Sequence, residues 1–243
     1  LGRRIQDKLK MITFVIPCYN EEAHIKDCIR SIRKHVWYIP YEIIVVDNNC
    51  TDRTAEIATE EQAFIIKEPR KGVVFARQAG YEAARGFLIA NIDADSKITE
   101  DWIWEALSRI SNDKVVAVTG PLEYEGASFG LRMLTKFYYI LAKFSNDYVG
   151  VFLQGGNAMI KKKALDEVGG YDTSIAFYGE DTMTAKRIQH LGKVVFNMYM
   201  VTTTSPRRLE EQGIISTTWL YLTNYFSVTF KNKSTTNDYK DFR

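Results

Sequence analysis

The chain has 243 residues, 46% of them hydrophobic and 13% aromatic, enough to fill one large α/β domain or two small ones. Its 32 Lys and Arg against 30 Asp and Glu leave a formal charge of +2, which excludes a nucleic-acid partner held by bulk electrostatics. The three cysteines, Cys18, Cys28 and Cys50, have no Cys-X-X-Cys spacing and no nearby His pattern, so no disulfide framework or zinc knot is expected and a reducing, cytoplasmic compartment fits.

Residues 1–10 are charged, lack the apolar core of a signal peptide and read as a lead-in. From Met11 onward, strand-like and helix-like segments alternate: a strand over 12–16, a helix over 21–36, a strand over 42–46, a helix over 51–62 and a strand over 64–67. The rhythm continues with a helix over 74–85, the strand ending at Asp93, a helix over 100–110 with Thr99 as its expected N-cap, and a strand over 115–119. Such alternation predicts a mostly parallel sheet with crossover helices, and ligands bind beyond the carboxyl ends of its strands.

Those ends carry the polar residues. Pro17-Cys18-Tyr19-Asn20-Glu21 follows the first strand and Asp47-Asn48-Asn49-Cys50-Thr51-Asp52 the second. An exposed Tyr19 can stack on a planar base, and Asp47 can accept from a base N–H or a ribose hydroxyl, or simply cap a turn. No Gly-X-Gly-X-X-Gly follows the first strand, which removes the dinucleotide fingerprint. The basic stretch from Lys67 through Lys71 to Arg77 reads either as phosphate contact or as a solvated loop.

The apolar run from Leu88 ends in Asp93-Ala94-Asp95. Side chains at i and i+2 of an extended segment point the same way, so the two carboxylates can converge on a hard divalent cation, although Asp is also a common turn residue. An EF-hand loop is disfavoured, because its glycine position would be Ile98 and its bidentate glutamate Trp104.

In the second half, Gln154-Gly155-Gly156-Asn157 opens a strand, a helix over 161–168 stops at Gly169-Gly170, and Phe177-Tyr178-Gly179-Glu180-Asp181 opens another helix. The segment 129–148 is amphipathic, and its stripe of Leu134, Phe137, Leu141 and Phe144 is expected to pack in the core. In 213–230, Ile215, Trp219, Leu222 and Phe226 form a stripe that packing is expected to cover, with a membrane interface as the alternative. A strand pair is expected over 194–203. His24, His35 and His190 fall on helices and read as surface or packing residues.

Phe14-Val15-Ile16-Pro17-Cys18-Tyr19-Asn20-Glu21, Val45 to Thr54, Lys71-Gly72 with Arg77-Gln78-Ala79-Gly80, and Ile92 to Asp95 follow one another as in the family 2 glycosyltransferases of the GT-A fold, which the chain resembles. Asn48 and Cys50 stand where that family usually has a second acid and a serine, and the Glu180-Asp181 block is similar to its acceptor-side motif. The resemblance implies a Rossmann-like, mostly parallel sheet flanked by helices, with a nucleotide-binding half at 11–121, a smaller acceptor-side half at 122–205 and a helical extension at 206–243. It also implies an inverting hexosyl transfer from a nucleotide diphosphate sugar, UDP-linked by expectation, to a saccharide or lipid hydroxyl, with Mn2+ or Mg2+.

By the same resemblance Pro17, Tyr19, Glu21, Asp47, Arg77 and Asp93 hold the nucleoside, Lys71 with Arg207 or Arg208 the diphosphate, and Asp95 with Asp93 the metal. Gly155, Gly156 and Asn157 wall the sugar, with Trp102 or Trp104 beside it or in the core, and Asp181 next to Glu180 is the base. The family's usual later histidine is absent, which leaves a third protein ligand unassigned. A nucleotidyltransferase and a non-catalytic nucleotide-sugar sensor are the alternatives, and the aromatic amphipathic helices admit contact with a membrane face.

Overall fold

The apolar run Ile12–Cys18 forms β1, buried at every position but Pro17, and the main sheet is built outward from it in both directions. The structure, a computed structural model, describes residues 11–149, 152–175 and 178–235, so the lead-in at 1–10, Phe177 of the acceptor-side block and the tail at 236–243 lie outside the described residues. On one side of β1 lie β2 (Tyr41–Asp47) and β3 (Phe64–Lys67). On the other come β4 (Leu88–Ile92), β8 (Asn157–Lys161), β6 (Val115–Thr119) and β9 (Lys193–Phe196), in that order. Only β8 runs antiparallel to its neighbours, and the register Ile92↔Asn157 brings its amino end to the edge where β1, β2 and β4 finish. The mostly parallel α/β sheet expected from the sequence is therefore present, and one sheet joins strands from both halves of the chain.

Alternating side chains of the strands feed two cores. Ile12, Phe14 and Ile16 pack with Ile25, Ile29 and Ile32 of α1 (Ile25–His35) and with Trp102, Ile103 and Leu107 of α4 (Trp102–Ile110). Val15, Val46 and Ile89 pack on the opposite face with Val74 and Tyr81 of α3 (Val73–Ala83), Leu165 of α6 (Lys162–Val168) and Ile188 of α7 (Glu180–Ile188). The short α2 (Thr54–Glu60) joins β2 to β3.

A second sheet, β5 (Ser96–Ile98), β10 (Thr202–Thr204) and β7 (Leu122–Tyr124), continues beyond Asp95. It corrects one expectation, because β9 and β10 belong to different sheets and do not pair. The expected cap Thr99 instead donates its hydroxyl to Val201 O at 3.0 Å, fastening β5 to the chain that enters β10, and α4 starts three residues later.

The helices outside the sheet correct two more. On α5 (Phe129–Val149) only Tyr139, Ala142 and Asn146 are buried, and Leu134, Phe137, Leu141 and Phe144 are exposed rather than in the core. On α9 (Ile214–Lys231), which follows α8 (Arg207–Gln212), the buried residues include Thr217, Asn224 and Val228, whereas Trp219 and Phe226 are exposed.

Candidate active site

The ends of β1, β2 and β4 and the start of β8 meet a cleft of about 880 Å³, within the ~300–1,000 Å³ typical of small-molecule sites. Tyr19, Glu21 and Lys71 line one end, Asp93, Asp95, Gly155, Gly156 and Asp181 the middle, and side chains of α5 and α9 the other end.

At the first end, two strand-end loops are laced together. Asn20 and Asn49 take positive φ, 51° and 71°, and Asn20 Oδ1 accepts from Thr51 N–H at 2.8 Å. Glu21 N–H donates to Thr54 Oγ1 at 2.7 Å, and Asp47 Oδ1 caps the turn by accepting from Cys50 N–H at 2.8 Å. Asp47 thus takes the capping role and is not among the residues lining the cleft. Lys71 places its ammonium 4.8 Å from the Tyr19 ring centroid, so a cation and an aromatic face stand together at this end of the cleft.

Asn48, which the sequence marks only as a departure from an acid, proves structural. Its buried amide donates to Glu68 O at 2.8 Å and Arg70 O at 2.7 Å and accepts from Gly72 N–H at 2.9 Å, clamping the loop that presents Lys71. Only an amide can do both at once, since a carboxylate has no donor for the two carbonyls. Cys50 links the loops as a hydroxyl would: Asn20 N–H donates to its sulfur, and burial pushes its thiol up to about 11.

In the middle, Arg77 is 4% exposed and bridges two carboxylates, pairing with Glu180 and, at 3.0 Å, with Asp93. It lines the cleft and holds these acids in place. Gly155 and Gly156 make the room: a Cβ on Gly155 would lie 2.5 Å from Arg77 Nη1, and one on Gly156 2.0 Å from Asp93 Oδ2. Gly179, at φ 98°, turns the chain into α7 so that Glu180 and Asp181 occupy its first turn. Asp181 accepts from Thr182 N–H at 2.7 Å and from Gly155 N–H at 3.4 Å.

Three carboxylates around one guanidinium leave an excess of negative charge in a buried place. Burial, reinforced by Asp181 and Asp93, pushes Glu180 up to about 8 against the pull of Arg77. Burial likewise raises Asp181, partly offset by its N–H donors and Arg77. Arg77 stays charged, because Glu180 and Asp93 outweigh the cost of its own burial.

Asp95 lines the same cleft and accepts from Thr204 Oγ1 at 3.3 Å, while its carbonyl accepts from Ser205 N–H. Among the described residues no three His, Cys, Asp or Glu converge as a metal cage. Asp93 and Asp95 offer two hard oxygen donors at the cleft wall, which fits an Mn2+ or Mg2+ that takes its remaining ligands from a diphosphate and water.

Several expected site residues are elsewhere. Asn157 is fully buried, accepts from Trp102 Nε1 at 2.7 Å and donates to Pro121 O and Met200 O, so neither it nor Trp102 walls the cleft. Trp104 stacks on Tyr38 at 4.8 Å outside the cleft. Arg207 is committed to the buried Glu21 at 3.0 Å, and Arg208 is the one of the pair that lines the cleft, donating to Tyr221 OH at 2.7 Å. Tyr138 also lines the cleft; sequence periodicity could place it on a helix but not at the site.

The sequence model of glycosyl transferase family 2 matches residues 13–169. The chain is similar to Glycosyltransferase AglE of Haloferax volcanii, 30% identical over 123 residues that make up 48% of this chain and 40% of that protein. It is also similar to the poly-beta-1,6-N-acetyl-D-glucosamine synthase of Staphylococcus aureus, 27% identical over 70% of this chain and 44% of that one. It thus spans less than half the length of either relative. Among solved structures, the mannosyltransferase PcManGT from Pyrobaculum calidifontis in complex with GDP-Man and Mn2+ superposes with a TM-score of 0.73 at 20% identity, over 92% of this chain and 64% of that one. Glucosyl-3-phosphoglycerate synthase from Mycobacterium tuberculosis, in complex with Mn2+, UDP and phosphoglyceric acid, superposes at 0.66 and 20% identity, over 93% and 81%.

Proposed function

This chain belongs to glycosyl transferase family 2, and on that premise we propose that it moves a hexosyl group, with inversion, from a nucleotide diphosphate sugar to an acceptor hydroxyl of a saccharide or lipid. The observation that carries this is the convergence of Asp93, Asp95 and Asp181 on one cleft whose far wall is Tyr19 and Lys71. The acceptor O–H gives its proton to the Asp181 carboxylate, its oxygen bonds to the anomeric carbon, and the bond from that carbon to the diphosphate oxygen breaks, the diphosphate leaving with the electron pair. Asp93 and Asp95 are the residues that would hold Mn2+ or Mg2+, which when bound neutralises charge on the leaving diphosphate. Arg77 keeps Asp93 and Glu180 in place, Tyr19 faces the base, and Lys71 and Arg208 face the phosphates.

The nucleoside is assigned as uridine, in line with the UDP held by the glucosyl-3-phosphoglycerate synthase neighbour; the GDP-Man of the other neighbour supplies the rival to test. Incubation with UDP- or GDP-sugars, Mn2+ and an acceptor panel tests the assignment. Asp181→Asn is expected to lower turnover by about 10²–10⁴-fold while retaining nucleotide binding, and His190→Ala to leave both unchanged. Nucleotide binding with neither transfer nor donor hydrolysis would refute catalysis.

A further inference from the structure

The outward faces of α5 and α9 are apolar where a helix bathed in water is polar. On α5, Met133, Ile140, Phe144 and Tyr148 are all at least half exposed, Phe144 at 63%, lie outside the cleft, and are spaced on one stripe opposite the buried Tyr139, Ala142 and Asn146. The same inversion holds on α9, where Thr217 and Asn224 are buried while Phe230, at 72%, is exposed outside the cleft and Trp219 and Phe226 are exposed at its apolar end. Several polar groups of α9 bond back to their own helix: Thr218 donates to Ile214 O at 2.8 Å, Thr223 to Trp219 O at 2.9 Å and Asn224 to Leu220 O at 2.9 Å. Groups satisfied in this way need no water.

Charge selects what covers this face. Arg132, Lys136 and Lys143, spaced four and seven residues apart, form a row along one flank of the α5 stripe, and the sole acid of that helix, Asp147, is tied to Lys143 at 2.5 Å. An apolar stripe edged by long cationic side chains matches the boundary between acyl chains and anionic headgroups. Among the described residues no helix is long and apolar enough to cross a membrane, so the pattern is that of helices lying in the interface. Beside that stripe, Leu134, Phe137, Tyr138 and Leu141 of α5 line the apolar arm of the cleft together with Trp219, Leu222 and Phe226 of α9, and that arm is continuous with Asp93, Asp95 and Asp181.

We propose that the α5–α9 face docks on an anionic bilayer and that the arm between the two helices takes the apolar chain of an acceptor carried in that bilayer, bringing its hydroxyl to Asp181. The acceptor part rests on the glycosyl transfer proposed above; the docking part stands without it.

Sedimentation with vesicles tests docking. The protein pellets with phosphatidylglycerol vesicles and less with phosphatidylcholine, and Phe144→Glu and Phe230→Glu, both at exposed positions outside the cleft, weaken the former by about tenfold or more with calorimetric UDP–Mn2+ binding unchanged. For the arm, dodecyl phosphate below its micellar concentration raises the melting temperature and methyl phosphate does not, and the rise disappears in the double variant Leu134→Glu, Leu222→Glu. The proposal is overturned by an absence of vesicle binding, by binding indifferent to the two charge insertions, by equal shifts with both phosphates, or by a dimer in light scattering that Phe144→Glu separates, since a second copy would then cover the face. Vesicle binding that persists in a protein without nucleotide binding or transfer overturns the proposed function instead and supports the docking.

Discussion

Replacing Gly156 by alanine tests how the site is held together. The new Cβ would lie 2.0 Å from Asp93 Oδ2 and 2.3 Å from its Cγ, more than an ångström inside ordinary contact. The backbone cannot yield cheaply, because Ile92 is registered against Asn157 and Asp93 N–H donates to Gly156 O at 3.4 Å. The Asp93 carboxylate therefore swings away and loses Arg77. A hydrogen bond between charged groups is worth about 1.5–3 kcal/mol, and Asp93, with its side chain 39% exposed, belongs near the lower end, about 1.5 kcal/mol after solvent screening. The expected result is roughly a tenfold loss of calorimetric affinity for UDP with Mn2+, with a larger loss of turnover and a melting temperature within a few degrees of the parent. Gly130, which lies in α5 and where an added Cβ would meet nothing within 4 Å, is the control: Gly130→Ala adds up to about 1 kcal/mol of stability and leaves nucleotide affinity alone. Parental affinity in Gly156→Ala would refute the claim that the glycine exists to seat Asp93.

Chelator should weaken nucleotide binding by the parent and have no further effect on Asp95→Ala, and calorimetry with and without EDTA reads both; equal chelator sensitivity in the two would remove Asp95 from the metal. Glu180 gives a pH test. Its carboxyl is raised from 4.5 to about 8, so between those values the folded chain holds a proton that the unfolded chain has lost. The stability it contributes is complete below pH 4.5 and is lost as pH rises through about 8. Melting temperatures of the metal-free protein should fall across that window, and Glu180→Gln should flatten the slope; an unchanged slope would contradict the assignment. Asn48→Ala should lower stability by about 2 kcal/mol in urea unfolding, and Asn48→Asp, which turns donors toward two carbonyls into acceptors, should cost more; Asp tolerated as well as Asn would refute the clamp.

The sheet is legible in the sequence because each strand is an apolar run closed by a polar loop, a pattern set by backbone alternation and burial on both faces. Asp93, Asp95 and Asp181 are legible as candidates for the same reason, since a carboxylate at a strand end or in a helix's first turn has only one edge to face. Side-chain direction is not. Asn157 and Gly156 are neighbours, yet alternation turns Asn157 toward Trp102 and leaves Gly156 under Asp93. Nor does a helical stripe reveal which medium it meets, because an apolar face on the core and one away from it share a single period; the stripes of α5 and α9 suggest core packing, yet Phe137, Phe144, Trp219 and Phe226 are exposed. Asn48 gives no signal of its own, because an amide's value there lies in three backbone partners that only the folded loop supplies.

The position of Arg77 reorders the roles of the acids around it. Arg77 lines the cleft, and its burial between Asp93 and Glu180 makes it the fixed positive charge from which both acids are oriented. Glu180 commits Oε1 to that arginine, whereas Asp181, half-buried and bonded to two backbone N–H groups, keeps a face to the cleft. The adjacent acids of α7 thereby take different tasks: the first anchors the arginine that anchors Asp93, and the second is left for the acceptor. Asp93 is likewise committed on one side to Arg77, while Asp95 is held through Thr204 to the second sheet. The two carboxylates of Asp93-Ala94-Asp95 would therefore meet a cation from two separately braced supports, so a substitution that loosens either support should weaken the metal site without removing a ligand.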